Sequence, residues 1–288
     1  EEINTACNVF FHYFSWQKVL KDIKLKHFIT YCDFGIGHIG RNLALNQAGA
    51  QTWYFTDSMN MGCNLKAEED KCNMRHPFWT YLYYDHFVTW DELLARYFKE
   101  HPGTLKQVHV VGCLWGGHIS KQNKTGNKNM FGVSKNLEDS FKLVAFDTTY
   151  SRNGFTSYKE GIAFAENLWQ LADAFPDIHI TLKEKKDRNL HSVFDPVLGP
   201  KLLKLYNRIN SHPRMAIYSD QTDSSELISV SDMVVSFPFT STTFEALSVN
   251  KPAIWHDPMD CYKGTPYAKV GGVMTHNYEE LKAKVMEI

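Results

Sequence analysis

Short apolar runs of strand length alternate along this chain with stretches in which apolar residues recur every three or four positions, the signature of an α/β fold with parallel sheets. In the first half the pattern predicts strands over 27–32 and 51–55, joined by a helix over 39–49 that turns Leu43, Leu45 and Ala48 inward. Strands are also predicted over 85–90 and 107–114, with Asp91 capping a helix over 92–99 between them. From 116 to 129 the chain is rich in Gly, Asn and Lys and has no apolar period, which predicts a linker or mobile loop. A second series follows, with strands at 142–146, 178–182, 215–218, 233–237 and 253–255 and helices at 162–175, 200–209, 224–230, 242–249 and 278–288. The economical architecture is α/β, with two Rossmann-like domains, 1–138 and 139–288, facing one interdomain cleft. By this pattern residue 1 falls inside a domain, so an N-terminal segment is expected to precede it.

The most telling stretch lies late in the second series. Met233 to Phe237 is apolar without alternation, as in a strand buried on both faces, and Pro238 ends it. Thr240, Ser241, Thr242 and Thr243 then open a helix, offering hydroxyls and backbone N–H groups that suit a phosphate. Other groups stand at neighbouring strand ends, where ligands of open parallel sheets bind. Lys183 and Lys185 follow one strand as candidate phosphate cations, and Asp147 follows another as a candidate catalytic or sugar-binding carboxylate. In the first half, Gly35, Gly37 and Gly40 run from strand to helix with His38, a candidate general base, and Arg41 beside them. This G-x-G-x-x-G also matches a dinucleotide fingerprint, with Asp57 as its acidic partner.

Composition removes several classes. Lys and Arg number 31 against 32 Asp and Glu, a net charge of −1, so nucleic acid is not expected as a partner. No run approaches about 18 uninterrupted apolar residues, and no secretory leader is evident. The six cysteines form no C-x-x-C pair and are expected to be reduced and mostly buried. The histidines are scattered and no Asp-x-Asp or His-Glu-x-x-His occurs, so no metal site is expected. Trp79, Tyr81, Tyr83, Tyr84 and Trp90 suit a core or an aromatic-lined groove.

Residues 142–288, most closely 232–258, resemble the nucleotide-sugar domain of GT-B glycosyltransferases, in particular bacterial capsule and surface-polysaccharide transferases. The resemblance implies a metal-independent transferase with its donor against the C-terminal domain and no cofactor beyond the nucleotide sugar. Ser236, Thr240, Ser241, Thr242 and Thr243 would then touch the donor phosphate, and Glu245 matches the acidic residue that holds a ribose or sugar hydroxyl. Similar paired hydroxyls occur in families using CMP-activated acid sugars, the sialyltransferases and the transferases of the keto-acid sugar Kdo. A CMP-keto-acid donor is therefore favoured, with a UDP-sugar next. Those families usually carry a His-Pro after an earlier strand, where this chain has Lys183 to Arg188. The implied partner is a glycan or glycolipid acceptor. The implied place is the cytoplasm, or the inner face of its membrane through peripheral association. A sugar-nucleotide epimerase, an NAD-dependent oxidoreductase and a non-catalytic nucleotide-binding module remain alternatives.

Overall fold

The computed structural model describes residues 2–68, 71–74, 79, 81–100, 104–125, 140–151 and 156–288. The chain divides into two compact units, Glu1–Leu114 and Trp115–Ile288. The expected boundary at 138/139 lies outside the described residues.

Unit 1 runs α1 (Glu2–Val19), β1 (His27–Thr30), α2 (Gly37–Gln47), β2 (Gln51–Phe55), the antiparallel hairpin β3 (Leu65–Glu68) and β4 (Lys71–Met74), β5 (His86–Thr89), α3 (Glu92–Glu100) and β6 (Gln107–Val110). Its main sheet is parallel, in the order β1-β2-β5-β6. Asp91 caps α3 as expected, its carboxylate accepting the Leu94 N–H at 3.0 Å. The buried face of α2 differs from expectation. It comprises His38, Gly40, Asn42, Ala44 and Leu45, while Ala48 is exposed. The cause is α1, which packs along α2 and which no apolar period announces, because none of its residues is buried.

Unit 2 contains α4 (Gly116–Thr125), β7 (Phe141–Phe146), α5 (Tyr158–Ala174), β8 (Ile178–Lys183), α6 (His191–Phe194), α7 (Gly199–Asn210), β9 (Met215–Tyr218), α8 (Ser224–Val230), β10 (Met233–Ser236), α9 (Thr242–Leu247), β11 (Ala253–His256), β12 (Met274–Thr275) and α10 (Tyr278–Met286). All six strands are parallel, in the order β12-β11-β10-β7-β8-β9. Counted from its first strand this is 6-5-4-1-2-3, the doubly wound Rossmann order, and the direction of winding reverses between β7 and β10. Helices cover both faces, so Leu143, Val144, Ile180, Leu182, Val234 and Val235 are wholly buried and the strands read as continuous apolar runs. A capping box starts α5 four residues earlier than its apolar period suggests: the Ser157 hydroxyl accepts the Glu160 N–H, and Glu160 accepts the Ser157 N–H at 2.8 Å.

The polar stretch expected as a linker is a helix over its first ten residues, and it belongs to unit 2. Ile119 on α4 is fully buried in a cluster with Val144, Leu227, Ile228 and Val234. One apolar anchor is too sparse to make a period, which is why the pattern missed it. The remainder of that stretch lies outside the described residues. Cys7, Cys32, Cys63, Cys113 and Cys261 are free, yet Cys7, Cys32 and Cys261 are exposed and Cys63 and Cys113 half-buried, against the expectation of burial. Among the described residues no helix is long and apolar enough to cross a membrane.

Close approach of α1 and α2 depends on Gly40. A Cβ there would run into the Val9 carbonyl oxygen and sit 2.9 Å from the Tyr13 nitrogen, both backbone atoms that cannot swing away. Alanine normally stabilises a helix interior by roughly 0.5–1 kcal/mol over glycine, whereas overpacking costs roughly 1–3 kcal/mol. Gly40→Ala is therefore expected to lower the denaturation midpoint. A rise would show that α1 is not seated against this position.

Candidate active site

The reversal point of the unit 2 sheet is built on the turn Pro238-Phe239-Thr240-Ser241. Pro238 leaves the sheet after β10, and Phe239 takes a left-handed backbone at φ 63°, a conformation that costs a bulky residue on the order of 1–3 kcal/mol. Its ring offsets that cost. Phe239 is 2% exposed and meets the rings of Trp255, Tyr262 and Tyr267 at centroid distances of 5.0, 5.4 and 5.5 Å. The indole N–H of Trp255 also donates to the Thr240 carbonyl at 3.0 Å, so β11 holds the turn at two successive residues. Nothing in the sequence marks Phe239 as left-handed, since glycine and asparagine are the usual occupants.

The hydroxyls after this turn divide into two groups. Ser236 and Thr242 bond each other at 2.7 Å, and Thr243 donates to the Ile254 carbonyl at 3.3 Å. All three are buried and bind strand to helix. Thr240 and Ser241 are partly exposed as residues, but the Thr240 hydroxyl oxygen is itself buried and makes no hydrogen bond within the described residues. Ser241 stands at the helix start with αR backbone and no capping hydrogen bond to α9, which is only six residues long. A helix this short adds little dipole. The hydroxyls and cations near the turn, rather than the helix end, are what could hold an anion here, a correction to the weight given to the helix end.

Asp147, after β7, is 2% exposed rather than open to a substrate. One oxygen accepts the Lys185 backbone N–H and the other the Tyr206 hydroxyl at 2.8 Å. Burial pushes this carboxyl up to about 8, against the lowering by those two donors. The expected catalytic carboxylate is thus an anchor that positions the chain after β8. Lys183 is likewise turned inward, its ammonium donating to the Asp220 carbonyl at 3.2 Å and the Glu184 carbonyl at 3.3 Å, and desolvation lowers its pKa. Lys185 is exposed and close enough to Glu245 on α9 to oppose the effect of burial, which still raises Glu245 to about 7. Ser241, Lys185 and Glu245 are the predicted site residues that remain at least partly exposed, whereas the Thr240 hydroxyl is buried.

In unit 1 the loop before α2 is already committed. His38 is 3% exposed; its Nε2 accepts the Tyr83 N–H at 3.0 Å and its Nδ1 donates to the Gly35 carbonyl at 2.7 Å, which fixes the neutral tautomer. Desolvation lowers its pKa. No ring nitrogen is left for general base work. Arg41 pairs with Asp33 at 2.5 Å, donates to the Tyr84 hydroxyl at 3.1 Å and lies over the Phe28 ring. Gly37 faces the His12 ring and Gly40 the α1 backbone, so only Gly35 has the open space a dinucleotide fingerprint needs. Among the described residues one group, Asp257, Asp260 and His276, has ligand atoms within 4.8 Å of one another. Asp257 holds the backbone N–H groups of Cys261 and Tyr262, and Lys263 pairs with Asp260 at 2.9 Å, so these carboxylates already have partners.

Solved structures share this architecture. The chain resembles an α,α-trehalose-phosphate synthase (UDP-forming) from Burkholderia vietnamiensis at a TM-score of 0.60 and 11% identity, covering 100% of this chain and 70% of that one. It resembles S. aureus MnaA, solved with UDP, at 0.56 and 14%, covering 98% and 69%. A putative UDP-N-acetylglucosamine 2-epimerase from Listeria monocytogenes follows at 0.53 and 13%, covering 97% and 70%. No curated protein matches the chain significantly. The fold these likenesses define is GT-B, with two Rossmann-like domains. The chain belongs to the family of polysaccharide biosynthesis PFTS motif proteins, whose model matches residues 3–285. The four letters of that motif stand here at Pro238, Phe239, Thr240 and Ser241, the turn at the sheet reversal.

Two outcomes test this geometry. Phe239→Ala is expected to cost roughly 3–5 kcal/mol, the range for emptying a buried aromatic site, read from urea midpoints; a loss below about 1 kcal/mol would mean that the cage does not hold the turn. Asp147 binds its proton more tightly folded than unfolded, so its contribution to stability is complete below an ordinary carboxyl value of about 4 and is lost as pH rises through about 8. Asp147→Asn should therefore flatten the fall in stability across that window. A variant with the wild-type slope would remove Asp147 as the titrating group.

Proposed function

We propose that this chain is a metal-independent glycosyltransferase that moves a sugar from a nucleotide-activated donor to a glycan or glycoconjugate acceptor in polysaccharide biosynthesis. The observation that carries the reading is the turn at the β7/β10 reversal, where Thr240 and Ser241 lead into α9 with its Glu245, and Lys185 lies close enough to Glu245 to act on its charge. Departure of a nucleotide needs donors aimed at the phosphate charge that develops. Ser241 and the Lys185 ammonium supply these, joined by the Thr240 hydroxyl once its side chain turns out of the buried position it holds. Glu245, raised toward neutrality by burial, can share a proton with a ribose or sugar hydroxyl at physiological pH. Asp147 enters as a positioning residue, through the backbone of Lys185.

For the donor base, two relatives in fold are described with UDP or a UDP analogue, S. aureus MnaA and the E. coli trehalose-6-phosphate enzyme bound with UDP-2-fluoro glucose. They support a UDP-sugar over the CMP-keto-acid sugar that the paired hydroxyls suggest. The epimerase-like relative keeps one second reading open, inversion within the nucleotide sugar without an acceptor.

Titration calorimetry with UDP, CMP, GDP and NAD tests the assignment. UDP binding is expected, and binding of NAD alone would overturn it. Charge-assisted hydrogen bonds contribute roughly 1.5–3 kcal/mol each, so Thr240→Val with Ser241→Ala should weaken nucleotide binding on the order of a hundredfold or more. Unchanged affinity would remove the turn from the site. Conversion of a UDP-sugar to its epimer without any acceptor would favour the second reading.

A further inference from the structure

The segment that follows β8 carries a surface which nothing in the nucleotide site explains. α6 is a single turn, packed on α7 and on the 3-10 turn Arg188–Leu190. Its outer side shows Val193 at 72% exposure and Phe194 at 46%, with Val197 at 67% and Leu190 at 39% beside them. Isolated apolar residues on a surface need no explanation, but four exposed apolar side chains within the eight residues 190–197 mark a contact face. Its surroundings are cationic. Residues 184–204 hold five Lys and Arg (185, 186, 188, 201, 204) against Glu184, Asp187 and Asp195, a balance of +2 in a chain whose net charge is −1; Arg188 pairs with Glu184 at 3.0 Å and Lys185 belongs to the crevice, so Lys186, Lys201 and Lys204 are the cations of this face. Asp195 is buried, its carboxylate accepting the Val197 and Leu198 N–H groups at 2.9 Å, which leaves Asp187 as the exposed acid of the segment. Lys186, Lys201 and Lys204 are exposed on the segments that flank the apolar group in the chain.

We propose that this face docks on an anionic phospholipid bilayer, with Val193, Phe194 and Val197 entering the interface and the lysines on lipid phosphates. Apolar side chains ringed by Lys and Arg are the composition that interfacial elements use, because each part alone binds weakly. A second copy of this chain is a poor occupant. In a two-fold contact the same surface meets itself, which sets lysine against lysine. The proposal goes beyond the transferase reading and does not depend on it.

Cosedimentation of the full chain with vesicles tests it. Vesicles of equal parts phosphatidylglycerol and phosphatidylcholine are expected to bind at least tenfold more protein than phosphatidylcholine alone, with the excess lost in about 0.5 M salt. Val193→Asp with Phe194→Asp, and separately Lys201→Glu with Lys204→Glu, should each lower anionic-vesicle binding tenfold or more while UDP affinity is unchanged. Equal binding to neutral and anionic vesicles would overturn the proposal, as would variants that bind like wild type. A dimer in solution that Val193→Asp dissolves would also overturn it. Failure of UDP binding in wild type strikes the transferase reading alone.

Discussion

The left-handed backbone of Phe239 is the constraint on which the crevice depends. A parallel strand that ran straight on from Ser236 would carry Thr240 and Ser241 away from the reversal point; the turn at Phe239 brings them back over it. That conformation persists because the ring is enclosed by Trp255 from β11 and by Tyr262 and Tyr267 from the loop beyond. The loop is itself pinned where Asp257 accepts the N–H groups of Cys261 and Tyr262. Site geometry is thus set by packing on the next strand as much as by the motif.

Burial also tunes the charge of the crevice. Asp147, Glu184 and Glu245 are all shifted up by desolvation, so each carries less negative charge near neutral pH than an exposed carboxylate would. Lys185 stays exposed on the backbone that Asp147 fixes. An anion approaching the turn therefore meets hydroxyls and an ammonium with muted repulsion from the acids that shape the site. Tyr206, on α7, joins this arrangement only through space. No motif links it to Asp147, which is why sequence alone could not pair them.

Much of the fold was legible where burial and periodicity coincide. The strands at 51–55 and 215–218 and the helix at 224–230 match the structure residue for residue, and the other four predicted unit 2 strands agree within one residue at each end, while the two-residue edge strand β12 is not among those predicted. The failures share a cause. α1 buries nothing, α4 holds on through Ile119, and α9 stops at Leu247 rather than at 249, so none of these boundaries is written in an apolar period. For the site, the sequence located the turn and the strand ends but not which groups were already spent. His38, Arg41, Asp147 and Lys183 are the right residue types at exposed-looking loop positions, and each is satisfied by a partner distant in sequence or by main-chain carbonyls.

The winding order of unit 2 has a bearing on how the protein is made. β7 leaves the ribosome first, and β8 can pair with one of its edges as soon as it follows. The opposite edge waits for β10, just before which the Asp232 carboxylate reaches back ninety residues to accept the Lys142 N–H. Until then Leu143, Val144, Ala145 and Phe146 present an unpaired apolar strand edge, the kind of surface through which nascent chains stick to one another. The crevice between β7 and β10 is consequently the seam at which this unit closes, so it comes into being with completion of the sheet rather than with the appearance of any single strand.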